Sequence, residues 1–248
     1  MSVAAARLAI LATFLLAWEA GARALNPLLY VPPSTVAPAL VQLLGLTSYP
    51  ALPEHLTQTV VEIVVAYGLA VVSGLGLGFA LGLWPRLGRV YAPILSVLYA
   101  IPSVVWYPSL MLVFGLGAAS KIAFGFLLGF FPIVLTVLAG IRQVDRHLVI
   151  VARSMGARPL TLFLKVLIPS MASTLVGGLR AGLALSVVGV IVGEVLGSRA
   201  GLGYLLTYTY GLLRTADYIA LVCVAVALVF AIDTLAGLFE HRAKRWSA

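Results

Sequence analysis

Charge is scarce in this chain of 248 residues. Only 10% are Asp, Glu, Lys or Arg, while 62% are hydrophobic, against roughly a quarter charged in an ordinary soluble domain. So few charges cannot cover the surface of a water-soluble fold of this length. Acidic residues are the scarcest, 8 against 16 Lys and Arg, for a net charge of +8. A single cysteine, Cys223, excludes an internal disulfide and a cysteine metal site. The three histidines, His55, His147 and His241, stand far apart and give no metal-ligand spacing. No Ser-His-Asp set and no paired carboxylates are visible, so the chain does not read as an enzyme.

Nucleotide motifs are also missing. The stretch GLGAASKI at 115–122 has Ser120 where a phosphate-binding loop needs its second Gly. The run GLGLG at 74–78, followed by Gly82, mimics a dinucleotide loop, but it lies in an apolar run with no preceding strand. Gly74, Gly78 and Gly82 are spaced by four and line one helix face, as close helix packing in a membrane requires. No cofactor is expected in this chain.

What is abundant is apolar sequence, with a mean hydropathy of +1.11. A helix needs roughly 20 apolar residues to cross the hydrocarbon. Spans are predicted at about 8–24, 58–83, 93–115, 120–140, 169–197 and 218–240, within one membrane domain covering 1–248. The expected fold is an all-α integral membrane protein of about six transmembrane helices. The first run is interrupted by Glu19 and Arg23, and Ala20-Gly21-Ala22 also fits a signal-peptide cleavage site. Residues 25–57, with Pro27, Pro32, Pro33, Pro38, Pro50 and Pro53, are expected to form an external loop with one short helix near 35–46.

A pI near 9.9 would suggest nucleic acid in a soluble protein. Here most cations sit in short gaps between apolar runs, where they set membrane orientation instead. With the N-terminus inside, Arg7, Arg86, Arg89, Arg142, Arg146, Arg153, Arg158, Lys165, Arg242, Lys244 and Arg245 are inside. Arg23, Lys121, Arg199 and Arg214 are outside, and Arg180 lies in the membrane. Both termini are therefore expected in the cytoplasm of a multi-pass protein of the cell (inner) membrane.

The inner loop at 141–168 has its own grammar. Asp145 suits a helix N-cap and Gly156 the left-handed position past a helix end. Pro159 fits the first turn of a second helix. Leu148, Val149, Ile150 and Val151 run consecutively among Arg146, Arg153 and Arg158. Four apolar residues in a row wrap around a helix and cannot all face the chain's own membrane domain. Either a protein partner or anionic lipid covers the remainder.

The stretch from 145 to 170 resembles the cytoplasmic loop of binding-protein-dependent ABC importer permeases. That signature runs Glu-Ala-Ala, three residues, Gly, nine residues, Ile, one residue, Leu-Pro. Aligned on Gly156, this chain supplies Ala152, Val166, Ile168 and Pro169, with Ile150 at the acidic position and Val151 at the first Ala. YVPPS at 30–34, IPSVVWYPSLMLVFGLG at 101–117, GEVLGSRAGLGYLL at 193–206 and LRTADYI at 213–219 are similar to the nitrate, sulfonate, taurine and thiamine-precursor branch. The resemblance implies a type I importer permease that pairs with a second copy of itself. It also implies two ATP-binding subunits, which bind the ATP and Mg, and an external solute-binding protein. The loop would then be the coupling helix, with Ile150, Ala152, Arg153, Gly156, Ala157 and Arg158 at or beside the ATPase.

Charges inside a membrane are costly and face a partner or a water-filled path. Arg180 lies about 16 Å past Pro169 along a helix, near the midplane, and Asp233 lies at a compatible depth. Arg180 either pairs with Asp233 or offers its charge to an anionic substrate. Glu62 and Glu194 are expected near the outer surface, shaping a gate or a binding-protein contact. The third span, with Pro93, Pro102 and Pro108, and the fifth are the pathway candidates, with Ser103, Trp106, Tyr107, Arg180, Ser186 and Glu194 as candidate pathway or gate residues. The expected function is half of a translocation pathway for a small solute, with an anion favoured by Arg180. A secondary transporter or channel subunit is the alternative, and it would need ion-coupling carboxylates or a filter.

Overall fold

A computed structural model describes residues 3–26 and 30–244, with side chains to Gly237. Pro27, Arg245 and the side chains of His241, Arg242 and Lys244 lie outside the described residues. No strand occurs among the described residues. The helices are α1 (Val3–Ala24), α2 (Pro33–Leu44), α3 (Leu52–Leu83), α4 (Pro85–Ala100), α5 (Trp106–Phe114), α6 (Ala118–Gln143), α7 (Arg146–Ser154), α8 (Pro159–Leu162), α9 (Ile168–Ser170), α10 (Ala172–Gly197), α11 (Leu202–Gly211) and α12 (Thr215–Lys244). A 3₁₀ turn at Ser103–Val105 joins α4 to α5, and a wide π turn at Phe163–Leu167 joins α8 to α9.

Proline and glycine punctuate this order. Pro33 and Pro85 occupy the first turns of α2 and α4, where a missing N–H leaves nothing unsatisfied. Among the described residues, five helices are long and apolar enough to cross a membrane. The span predicted over 93–115 is not one straight helix. It begins at Pro85, stops at Ala100 and resumes at Trp106 after a bend of 81°. Pro102 is the cause: the residue before a proline is pushed out of helical geometry, and Ile101 is extended at φ −65°, ψ 129°.

By its contacts the chain divides into two compact units, residues 1–58 with 200–228 and residues 59–199 with 229–248. In the first, Leu43, Leu52, Leu202, Leu205 and Leu221 form the core. Glu19 accepts hydrogen bonds from the Ser34 amide and hydroxyl at 3.1 and 2.7 Å, tying α1 to the start of α2. Tyr49 donates to Asp217 at 3.2 Å. Burial, then the Asp217 charge, push its phenol up to about 12.

The second unit is built on small residues. Lipid tails are as apolar as leucine, so helices in a bilayer associate through close packing rather than burial from water. A Cβ on Gly74 would lie 2.8 Å from Ile133, and one on Gly78 would lie 2.6 Å from Val137; Gly82 likewise abuts Ile141. The glycine face predicted on α3 thus packs on α6. Both numberings rise together, so α3 and α6 run parallel. α10 runs against α6, with Gly189 on Gly125 and Gly178 on Thr136. Parallel neighbours must start on the same side of the bilayer. The bent pair α4–α5 between them therefore makes one net crossing, which gives six among the described residues.

Candidate functional site

The break at Pro102 opens a hollow of about 300 Å³ lined by Tyr99, Ser103, Trp106, Leu127, Phe131 and Leu185, among others. Non-helical backbone at membrane depth is tolerated where it lines a cavity, and Ile101, Pro102 and Ser103 line this one. The Tyr99 and Phe131 rings stand 6.0 Å apart beside it. Of the predicted pathway residues, Ser103 and Trp106 meet here, and no charged side chain among the described residues lines the hollow.

Tyr107, one residue beyond Trp106, is fully buried, and its hydroxyl donates to the Gly193 carbonyl at 2.5 Å. The buried polar residues around it come from three helices, α3, α6 and α10. Thr59 of α3 donates to Glu194 of α10 at 2.7 Å. Lys121 of α6 donates to the carbonyls of Leu116 and Gly117, in the turn after α5. Glu62 and Glu194, expected near the outer side of the membrane, and Lys121, expected on that same side, are at most 1% exposed within the chain. The reason is that α6 begins at Ala118, which places Lys121 on its first turn against α10, where Gly193 abuts its stem. The sequence signal was the lone cation near the head of a 26-residue apolar helix.

Arg180 and Asp233 meet at two points, Nε to Oδ1 at 3.0 Å and Nη2 to Oδ2 at 2.6 Å. Their side chains are 50% and 47% exposed, and neither lines the hollow. Ser186 is buried where α10 meets Gly129 of α6, and its hydroxyl has no hydrogen-bond partner among the described residues.

The inner loop has the helix, turn and second helix that Asp145, Gly156 and Pro159 predict. The Asp145 carboxylate accepts from the His147 amide at 2.9 Å. Gly156 has φ 78°, a conformation that costs a residue with a Cβ about 1–2 kcal/mol. Side chains of α7 and of Met155 at its C-terminal cap point in three directions. Val149 and Ala152 pack on the cluster of Leu162, Phe163 and Leu167. Arg146, Ile150 and Arg153 recur at i, i+4 and i+7 and face a second hollow with Arg89 and Arg142. Leu148, Val151 and Met155 are exposed, Met155 at 83%. Arg153, Gly156, Ala157 and Arg158 line a further hollow with Trp84. Among the predicted coupling residues, Ala152 therefore faces its own chain.

Residues 70–245 match the family described as "Binding-protein-dependent transport system inner membrane component". The chain is 26% identical over 240 residues to the taurine transport system permease protein of Escherichia coli (strain K12), covering 95% of this chain and 87% of that protein. It is 32% identical over 162 residues to the riboflavin transport system permease protein of Chloroflexus aurantiacus (strain ATCC 29366 / DSM 635 / J-10-fl), covering 65% and 60% respectively. Its fold is similar to that of a chain from an inward-facing form of the MetNI methionine ABC transporter. The TM-score is 0.66 at 21% identity, covering 81% of this chain and 99% of that one.

Proposed function

The chain belongs to the family of binding-protein-dependent transport system inner membrane components and is a permease subunit of an ABC importer, and from that premise we propose how it works. Two copies face each other across a two-fold axis along the membrane normal. An external binding protein delivers the solute, and two ATP-binding subunits on the cytoplasmic side drive the cycle. Both termini are cytoplasmic, since most Lys and Arg lie on that side.

The observation that carries the reading is the exposed apolar stripe of α7, Leu148, Val151 and Met155, on a helix capped by Asp145 and ended by Gly156. An apolar stripe rimmed by arginines suits a protein groove. α7 passes the movement of the ATPase to the spans through Val149 and Ala152, which rest on Leu162 and Phe163. The hollow at Ser103 and Trp106 is the pathway-facing feature. It carries no charge, and Arg180 is neutralised by Asp233, so this chain offers no anion site there. Solute choice rests with the binding protein. The relatives carry taurine and riboflavin by name, which supports small solutes of differing charge.

The test is reconstitution with an ATPase subunit and a binding protein in liposomes. Mass measurement should give two copies of this chain per complex. Met155→Asp should abolish ATPase co-purification while the chain remains folded, and Ser103→Trp should fill the hollow and stop transport while the ATPase still binds. Normal association and transport in both variants would refute the proposal.

A further inference from the structure

Between the end of α3, the start of α4, the end of α6 and the side of α7 lies a hollow of about 530 Å³. Its depth is apolar, with Leu81, Leu138 and Ile141 among the lining residues. Its rim carries Arg89, Arg142, Arg146 and Arg153. No Asp or Glu lines it among the described residues. The nearest acid along the chain, Asp145, is engaged in capping α7. Arg142 is fixed by a hydrogen bond of 3.3 Å to the Gly88 carbonyl, so its guanidinium is held at the first turn of α4.

Like charges around one mouth repel unless an anion lies between them. Guanidinium groups match phosphate with paired hydrogen bonds. A soluble anion would need only the rim. The apolar depth, reached from span ends at the edge of the hydrocarbon, suits an acyl chain, and basic pockets between helices on the cytoplasmic side hold anionic headgroups. We propose that this hollow binds one anionic phospholipid, with its phosphate among the four arginines and an acyl chain against Leu81 and Leu138. The lipid then braces the rear of α7 while Leu148, Val151 and Met155 face the ATPase. The inference rests on the orientation proposed above, which puts these span ends in the cytoplasm.

The test uses the complex of this chain with its ATPase subunit, purified in mild detergent after exposure to vesicles of phosphatidylcholine and phosphatidylglycerol in equal parts. Mass spectrometry of the complex should show retained phosphatidylglycerol in preference to phosphatidylcholine. Arg89→Gln and Arg146→Gln should each lower that retention about fivefold. Arg86→Gln, which removes a cation outside the lining, should leave it unchanged. Displacement of the lipid by millimolar inorganic phosphate would show a soluble-anion site and overturn the proposal. Unchanged lipid retention with loss of the ATPase in Arg89→Gln would do the same, by assigning the hollow to the protein contact. Orientation is checked separately by labelling Arg86→Cys, in a Cys223→Ser background, with a membrane-impermeant reagent from the cytoplasmic side.

Discussion

The seam between α6 and α10 and the short helix α7 are both rich in apolar and small residues, yet they stand in opposite conditions. In the seam every close approach is completed within the chain: Gly125 meets Gly189, Gly129 meets Gly182, and Gly178 meets Thr136. On α7 Val149 and Ala152 pack on their own chain, while Leu148 and Val151, with Met155 at its end, stay exposed. Composition alone does not separate the two regions. The difference lies in whether a facing helix exists, and the proposed function accordingly assigns stability to the seam and association to α7.

That comparison breaks most severely if glycines of the seam can be enlarged without harm. A Cβ on Gly125 would come 2.7 Å from Val190, and one on Gly189 would come 2.7 Å from the Gly125 backbone. Gly125→Leu or Gly189→Leu should therefore cost about 3 kcal/mol, through overpacking at the closest approach of the two helices. The measurement is the yield of monodisperse protein and its thermal midpoint. Gly21→Leu on α1, where a Cβ meets nothing within 4 Å, should leave both unchanged.

A smaller effect is expected where α10 meets α12. Breaking the two-point contact by Arg180→Met or Asp233→Leu leaves one charge without this partner and should lower the thermal midpoint. The double mutant should recover most of that loss. Additive losses in the thermal midpoint would show that the two residues act independently. Retained stability with lost transport in Arg180→Met would return Arg180 to the solute path.

On α7 the expected losses are smaller in stability and larger in association. Gly156→Val should cost about 1–2 kcal/mol from its left-handed conformation and reduce ATPase co-purification. Leu148→Asp should leave the thermal midpoint unchanged and reduce co-purification further. Ala152→Asp should do the reverse, lowering the midpoint, because its side chain meets Leu162 and Phe163 rather than the ATPase. If Leu148→Asp destabilises the isolated chain, the outward stripe has a partner within the chain and the comparison fails.

Much of the architecture was legible. Apolar run lengths give the crossings, and the four-residue spacing of Gly74, Gly78 and Gly82 gives a packing face because spacing along a helix is a local property. Depth along two helices placed Arg180 and Asp233 at one level, where the structure has them paired. The angle at Pro102 was not legible. A proline says that the helix stops, whereas its new direction is set by what Tyr107 and Phe124 pack against. The burial of Lys121, Glu62 and Glu194 was hidden for the same reason: it depends on helices distant in sequence. Ala152 carries the family signature, yet which side of α7 it occupies follows from the packing of Leu162 and Phe163 beneath it.

The ladder of Gly74, Gly78 and Gly82 on Ile133, Val137 and Ile141 repeats every four residues on both parallel helices. A repeat of that kind resembles a toothed rack: moving α3 along α6 by one turn, about 5.4–6 Å, brings new teeth into similar gaps. The ladder holds the helices close but does not fix which tooth sits where. That index comes from the non-repeating polar residues at one end, where Thr59 reaches Glu194 and Lys121 closes the turn before α6. A slip of one turn would break the hydrogen bond from Thr59 to the buried Glu194 carboxylate, which the ladder alone does not oppose. The buried charges thus act as a registration mark, and the glycines as the track on which it is read.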